Sequence, residues 1–177
     1  PAPDTIFEQV YKLCPGEKLI FEQGQLTKER YWEPNYNIDT SWTLDTAAEA
    51  YLELLQDAVS LRRISDVPLG AFLSGGLDSS TVVGMLSKTA SAPVKTFSIG
   101  FDDVQANELD YARCAAEHFG TEHTEEILHP DMVSLLPKLV QHFGEPFADS
   151  SALPMWLVSQ VARKDVTVAL SGDGGDE

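Results

Sequence analysis

The sequence predicts an α/β fold: a parallel sheet with helices on both faces, preceded by a short antiparallel β segment. From residue 46 onward, helix-like and strand-like segments alternate along the chain. Two of the strand-like segments are continuous apolar runs that lead directly into glycine-rich loops, which is typical of buried parallel strands. Before residue 34 the segments are shorter and are separated by turn dipeptides, which is typical of antiparallel strands.

The N-terminal stretch predicts a small antiparallel meander with strands at 10–13, 18–22 and 25–32. Pro15-Gly16 and Gln23-Gly24 separate these strands and are good turn dipeptides. A meander of this size is not stable by itself, so we expect it to pack on another part of the protein. Residues 35–45 are rich in polar side chains and predict a linker.

The α/β part follows from residue 46 to residue 177. Thr46 and Glu49 predict a capping box that opens the first helix, and Gly120 is placed to end the third. Helices are predicted at 46–64, 77–88, 108–119, 132–143 and 150–164, and strands at 68–73, 94–99, 122–128 and 166–170. Ligands of such sheets bind at the carboxyl ends of the strands, so the chemistry is expected in the loops that follow them.

Composition and charge exclude several classes of protein. The 177 residues are 43% hydrophobic and carry a formal net charge of −16, which disfavours binding to nucleic acid or to an anionic membrane. No apolar run approaches the roughly 18 residues of a membrane helix. Cys14 and Cys114 are too few for a disulfide framework and favour a reducing compartment. Since no signal peptide is visible after Pro1, we expect a cytoplasmic protein.

The first glycine-rich loop, Ser74 to Ser80, reads SGGLDSS and precedes a predicted helix. Gly75 and Gly76 allow positive φ and leave room above the backbone, so N–H groups at the positive end of the helix can hold a phosphate or pyrophosphate. Asp78 would repel phosphates unless Mg²⁺ lies between them. Hydroxyl donors come from Ser74, Ser79 and Ser80. The alternative is a plain glycine turn with an Asp and Ser helix cap; the lysine of a P-loop is missing.

The second glycine-rich loop, Ser171 to Glu177, reads SGDGGDE and follows the apolar run at 166–170. If its strand is a neighbour of the strand at 68–73, both loops meet at the carboxyl edge of the sheet. Asp78 and Asp176 would then share one metal ion that bridges the phosphates. The alternative is an acidic surface turn or a calcium-like loop.

Other polar residues are less informative. Asp102, Asp103 and Glu108 follow the second strand of the predicted parallel sheet, and a ligand contact and a solvated surface are equally compatible with their positions. Asp149 is interpreted as a cap of the next helix rather than part of an amino-acid site. The four histidines lack metal-ligand spacing and predict surface or helix-end positions, namely His118, His123, His129 and His142.

These motifs resemble a known family. The loop at 74–80 resembles the pyrophosphatase loop of the ATP-pyrophosphatase superfamily, and the loop at 171–177 resembles the second signature of the asparagine synthetases within it. EPFADSSALP at 145–154 and FSIGF at 97–101 are similar to segments of the same family. KLCPG at 12–16 and RYW at 30–32 resemble the end of that family's glutaminase domain and its join to the synthetase domain, although the family usually has Pro where Cys14 stands.

The resemblance implies an adenine nucleotide α-hydrolase-like fold and a specific reaction. ATP is split to AMP and pyrophosphate as an aspartate carboxylate attacks the α-phosphorus, and ammonia from glutamine displaces AMP from β-aspartyl-AMP. Asp78 and Asp176 would hold Mg²⁺, and Asp173, where many members have Glu, is the catalytic candidate that would face the acyl-adenylate. The nucleotide would contact Leu73, Ser74, Gly75, Gly76, Asp78, Ser79, Ser80, Ile99, Ser171 and Gly172, with Leu73 and Ile99 flanking the adenosine through their backbones.

The resemblance also implies a division of the chain. Residues 1–34 would be the tail end of the glutaminase domain, 35–45 the linker, and 46–177 a synthetase domain truncated at its C-terminus. The glutaminase nucleophile and the family's C-terminal helical region with its lysine lie outside this sequence. We therefore expect the isolated piece to be incomplete and to associate, as a homodimer for example, or to be poorly stable, because apolar helix faces are left exposed.

Three functions remain open from the sequence. The first is ATP-dependent synthesis of asparagine from aspartate. The second is adenylation of another carboxylate, as in related amidotransferases or β-lactam synthetase. The third is a non-catalytic nucleotide-binding module, against which the intact loop argues, because a decayed site would be expected to lose Asp78 or a glycine. A tRNA-modifying role is disfavoured by the net charge of −16.

Overall fold

The computed structural model describes residues 2–101, 107–129 and 131–175. These residues form two compact units. The first contains Pro1–Trp42 and Leu136–Ala148, and the second contains Thr43–Leu135 and Asp149–Glu177. Helix α4, Met132–Phe143, contributes residues to both.

The first unit contains a β-hairpin. Strand β1, Glu17–Glu22, pairs antiparallel with β2, Gln25–Arg30. The two residues between them, Gln23 and Gly24, have φ of 50° and 77°, as a tight hairpin turn requires. The buried Glu17 carboxylate accepts from Lys28 at 2.9 Å across the pair, and this hydrogen bond lowers the pKa of Glu17.

The strand predicted at 10–13 is wrong. Residues 10–13 do not form a strand, and two of their backbone N–H groups bond to the preceding segment: Val10 donates to the Phe7 carbonyl and Lys12 donates to the Pro3 carbonyl at 2.8 Å. Strand β2 also ends before Tyr31, whose N–H turns back to the Gly16 carbonyl. The N-terminal segment is therefore one hairpin with a looped entry.

The second unit is built on a parallel sheet. Its strand order is β5-β4-β3-β6, and every neighbouring pair is parallel. The strands are β3 Leu69–Phe72, β4 Lys95–Gly100, β5 Glu122–Ile127 and β6 Val168–Leu170. The helices are α1 Leu44–Arg62, α2 Leu77–Thr89, α3 Leu109–Phe119 and α5 Ala152–Ala162. The predicted α/β fold class is confirmed.

Helices cover both faces of the sheet. On one face, Val59 of α1, Val83 of α2 and Ala112 of α3 pack in one buried cluster with Ala71 of β3. On the other face, α5 packs on Phe97 of β4, which is 1% exposed, through residues Val158, Val161 and Ala162. This apolar burial, at about 25 cal/mol per Å², holds the layers together.

The N-cap of the first helix lies three residues before the predicted cap. Thr43 is the N-cap: its Oγ1 accepts from the Thr46 N–H at 3.2 Å, and Thr46 Oγ1 accepts from the Thr43 N–H at 3.0 Å. Thr46 thus takes the place that Glu or Gln has in the usual reciprocal box, so the predicted pairing of Thr46 with Glu49 is wrong. Gly120 ends α3 as predicted, in the left-handed conformation with φ of 63°.

Candidate functional site

The two glycine-rich loops leave the sheet from adjacent strands. Strand β3 pairs with β6 in parallel, with Ala71 opposite Leu170. The loops then touch: a Cβ added at Gly172 would lie 2.6 Å from the Ser79 nitrogen, and one at Gly175 would lie 2.7 Å from Asp78 Oδ1. The strand at 166–170 is therefore a neighbour of the strand at 68–73, as the meeting of the two loops requires. Only glycine permits the second loop to approach the first so closely.

Hydrogen bonds within the first loop hold its serines in place. Ser74 Oγ accepts from the Gly76 N–H at 3.2 Å, and the hydroxyls of Ser74 and Ser79 are 3.0 Å apart. Gly76 is the N-cap of α2 and has no side chain to satisfy the first-turn N–H groups. Because those groups lack intrahelical acceptors and stand at the positive end of the helix, they are suited to an anion.

The two glycines of this loop have different roles. Gly75 has φ of 83°, and a Cβ there would lie 2.4 Å from the Tyr111 carbonyl carbon and 2.5 Å from the Ala112 nitrogen. It therefore seats the loop against the backbone of α3. Gly76 has φ of −67°, and a Cβ there would meet only Ser74 Oγ within 4 Å, at 3.2 Å. Of these two glycines, only Gly75 needs positive φ. Gly76, which has no side chain, leaves space in the pocket.

A pocket of about 400 Å³ lies at the carboxyl ends of β3, β4 and β6, a volume within the range of small-molecule sites. The first turns of α2, α3 and α5 border it. Its described lining contains three carboxylates, Asp78, Glu108 and Asp173, and no Lys, Arg or His. The positive charge at this edge therefore comes from helix N-termini and backbone N–H groups.

Most of the predicted contact residues line this pocket. They are Leu73, Ser74, Gly76, Asp78, Ser79, Ile99, Ser171, Gly172 and Asp173. Gly75 and Ser80 do not: Gly75 packs against α3, and Ser80 donates its N–H to the Gly76 carbonyl inside α2. Asp176, Asp102 and Asp103 lie outside the described residues.

The two backbone positions expected beside adenosine differ in availability. The Leu73 N–H donates to the Phe97 carbonyl at 2.9 Å, and its carbonyl accepts from Ser98 Oγ. Leu128 donates to the Gly100 carbonyl, so Gly100 faces β5. By alternation along β4, the N–H and C=O of Ile99 face the other side, beyond the last residue with which β3 pairs. Ile99 therefore has the freer peptide groups.

The donor set fits a magnesium ion that also binds phosphate. Within residues 2–101, 107–129 and 131–175, no group of three or more His, Cys, Asp and Glu is arranged to hold a metal ion. Mg²⁺ commonly takes one or two carboxylates together with substrate phosphates. Asp78 supplies one carboxylate at the junction of the loops, where the absence of a side chain at Gly175 leaves it room.

Asp173 is tied to its own loop. Its Oδ2 accepts from Ser171 Oγ at 3.1 Å, and its N–H donates back to the same hydroxyl at 3.3 Å. Both residues line the pocket. The carboxylate is therefore held at the end of β6 and remains exposed.

The sequence did not single out Ser98 or Ser151, which also line the pocket. Ser98 is 5% exposed and bonds to the Leu73 carbonyl. Ser151 begins α5, and its N–H and hydroxyl both donate to Asp149 Oδ1, at 2.8 and 2.7 Å. These bonds lower the pKa of Asp149. Asp149 forms the turn before the helix, whereas Ser151 is the N-cap, so the cap prediction is displaced by two residues.

The model of the asparagine synthase family matches residues 50–177, a range that contains the whole described pocket. The chain belongs to the asparagine synthase family.

Two members of the asparagine synthase family resemble the whole chain. The chain is 42% identical over 182 residues to a glutamine-hydrolyzing asparagine synthetase 2 of Methanocaldococcus jannaschii. It is 37% identical over 179 residues to glutamine-hydrolyzing asparagine synthetase 1 of Bacillus subtilis. Each alignment covers 100% of this chain, which spans only 35% and 28% of the respective relatives.

Among solved structures, the NMN synthetase of Francisella tularensis is similar at 18% identity with a TM-score of 0.46, over 73% of this asparagine synthase family chain and 54% of that protein. Within the part of this chain that the structure describes, no helix has both the length and the apolarity to cross a membrane.

Proposed function

We propose that this chain forms the ATP- and Mg²⁺-binding part of an asparagine synthase-type ligase. In this proposal, aspartate is activated as β-aspartyl-AMP and ammonia from glutamine displaces AMP to give the amide. The observation that carries the proposal is the meeting of two glycine-rich loops around Asp78, beside a pocket at the carboxyl edge of the sheet.

The pyrophosphate part of ATP would lie on the first turn of α2. The N–H groups there lack intrahelical acceptors, and the hydroxyls of Ser74 and Ser79 lie beside them. Among the residues that the structure describes, the lining adds three carboxylates and no cationic side chain, so the charge of ATP needs a divalent cation for balance. Mg²⁺ held by Asp78 and Asp176 would supply that charge on the pyrophosphate leaving group.

The nucleoside and the acceptor would occupy the rest of the pocket. The peptide groups of Ile99, which have no backbone partner on the β3 side among the described residues, are suited to the edge of adenine, with Leu73 beneath it. Ser171 and Gly172 would contact the nucleotide from the second loop, and Asp173, fixed by Ser171, would face the acyl-adenylate. The chain's contribution is then the positioning of the reacting groups.

We also propose that residues 1–34 end a glutaminase domain and that 35–45 link it to a synthetase domain from residue 46. The boundary between the units at Trp42 and Thr43 falls within the proposed linker and supports a division there, whereas Leu136–Ala148 group with the first unit. Both relatives are described as glutamine-hydrolyzing, which fits a protein that makes its own ammonia. The substrates would be ATP, aspartate or a similar carboxylate, and that ammonia.

Pyrophosphate–ATP exchange by the full-length protein tests the proposal. We expect exchange that requires both Mg²⁺ and aspartate, because adenylation of the carboxylate releases pyrophosphate reversibly. Exchange supported only by a different carboxylate would move the chain to the related adenylating enzymes. Binding of ATP without exchange under any carboxylate would support a non-catalytic nucleotide-binding module and contradict the proposal.

A further inference from the structure

The first turn of α3 is fixed between the two parts of the pocket. On one side, Tyr111 and Ala112 abut Gly75 of the first glycine-rich loop. On the other, a Cβ added at Gly100 would lie 2.6 Å from Leu109 Cδ1 and 3.0 Å from Asn107 Oδ1. This turn therefore spans the distance from the first glycine-rich loop to the end of β4.

Glu108 lies in this turn and lines the pocket. Its neighbours are committed to the fold, because Leu109 is 3% exposed and its N–H donates to Asn107 Oδ1. Glu108 is the N-cap of α3, yet its side chain makes no capping hydrogen bond. Among the described residues, its carboxylate has no hydrogen bond or ion pair in the protein. It is an exposed acceptor at the pocket wall without a structural task.

A nucleotide in the proposed orientation places its sugar beside this residue. Its phosphates would lie at the first turn of α2, directly after the loop that Gly75 seats against α3, and its base at Ile99, the residue before Gly100. The ribose is the part between them, and the first turn of α3 joins the same two points. A carboxylate next to the neutral sugar avoids the repulsion that it would meet beside the phosphates.

We propose that Glu108 binds the ribose 2′- and 3′-hydroxyls of ATP through its carboxylate. Two neighbouring hydroxyls can donate to the two oxygens of one ionised carboxylate, which are charge-assisted hydrogen bonds. This rests on the proposed function, since it assumes a nucleotide in the pocket. It makes Glu108 a determinant of specificity for ribonucleotides over deoxynucleotides.

Titration calorimetry of the full-length protein with Mg²⁺-ATP and Mg²⁺-2′,3′-dideoxy-ATP tests this assignment. We expect the wild type to bind ATP about tenfold more tightly than the dideoxy nucleotide, since a hydrogen bond to an exposed charged group contributes modestly. Glu108→Ala and Glu108→Gln should weaken ATP binding by a similar factor and leave dideoxy-ATP binding unchanged. The unchanged dideoxy affinity also shows that the variants are folded. Glu117→Gln, an exposed acid in the last turn of the same helix, is the matched control and should change neither affinity.

Other outcomes overturn the assignment. Equal affinity of the wild type for both nucleotides, or discrimination that persists in Glu108→Ala, means that another group reads the sugar. A raised KM for aspartate in Glu108→Ala with unchanged nucleotide discrimination would place the carboxylate at the substrate's ammonium group instead. In these cases aspartate-dependent exchange still supports the proposed function, whereas a wild type that binds no ATP contradicts both.

Discussion

At the scale of single residues, Gly75 and Gly76 are neighbours with separable tasks. Gly75 combines positive φ with contact to the α3 backbone, so the fold requires it. Gly76 has ordinary φ and borders the pocket, where a Cβ would meet only one flexible side-chain atom. Paired substitutions can therefore separate the stability of the loop from its binding of ligand.

We expect Gly75→Ala to lower the free energy of unfolding by about 2 kcal/mol or more, from strain and from backbone overlap. Gly76→Ala should stay within about 0.5 kcal/mol of the wild type but weaken Mg²⁺-ATP binding roughly tenfold, because the methyl group enters the space for phosphate. Chemical denaturation and calorimetry measure the two effects. Equal loss of stability in both variants would contradict the division of roles.

Asp78 provides a second prediction at this scale. Asp78→Asn keeps the size of the side chain but removes the charge that would hold Mg²⁺. We expect Mg²⁺-ATP to bind at least tenfold more weakly, whereas ATP in EDTA should bind no more weakly than to the wild type, because a repulsive charge is gone. Asp57→Asn, at an exposed site on α1, is the control. An unchanged Mg²⁺ requirement in Asp78→Asn would overturn the metal assignment.

At the scale of elements, β4 and β5 are joined by a polar contact inside the sheet. Thr96, which is fully buried, lies opposite His123 in the register, and its Oγ1 is 2.9 Å from both His123 Nδ1 and Thr121 Oγ1. His123 Nε2 is buried without a hydrogen-bond partner among the described residues. The expectation of a surface or helix-end position for this histidine is wrong, because β5 carries it against Thr96.

This contact predicts a dependence of stability on pH. Burial lowers the pKa of His123 below 6.5; Arg113 adds to this effect and Glu125 opposes it. The unfolded chain therefore binds a proton more readily than the folded one, so stability is full above pH 6.5 and falls as the pH drops from there towards the lowered pKa. We expect His123→Gln to show a smaller fall of Tm than the wild type between about pH 7.5 and 5.5. Parallel pH curves for the two proteins would contradict this.

The placement of elements also shows what sequence can predict. Both loops were found because glycines and acids follow apolar runs, and this pattern depends on local chain geometry alone. Ser98 and Ser151 lie in the family-like segments at 97–101 and 145–154, but their roles were not predicted because these depend on which strand and helix pack beside the pocket. The strand at 10–13 was predicted wrongly because the side-chain pattern of these residues does not reveal that the N–H groups of Val10 and Lys12 bond to the preceding segment.

At the scale of the whole molecule, large apolar side chains are exposed along α1. Leu44, Leu54 and Leu61 are 85%, 70% and 59% exposed. Exposed apolar surface of this kind favours association. We expect the 177-residue chain to sediment as a homodimer or larger species, and Leu54→Glu with Leu61→Glu to shift it towards monomer. A monodisperse wild-type monomer that melts cooperatively would contradict this expectation.

Under the proposed function, the position of β6 would link ATP binding to the order in which the chain acquires its structure. This three-residue strand is at the edge of the sheet, pairs only with β3 among the described strands, and brings a loop from far along the sequence to Asp78. Its docking is a long-range event, so we expect it to come late in folding because of the entropy of closing a long loop. A nucleotide held by both loops binds only after that docking, and at one hundred times Kd it contributes about 2.7 kcal/mol to the docked state. Amide hydrogen exchange should then slow in β6 when Mg²⁺-ATP is added and change little in β5 at the opposite edge. Binding of the nucleotide would thus stabilise the docked position of β6 in the sheet.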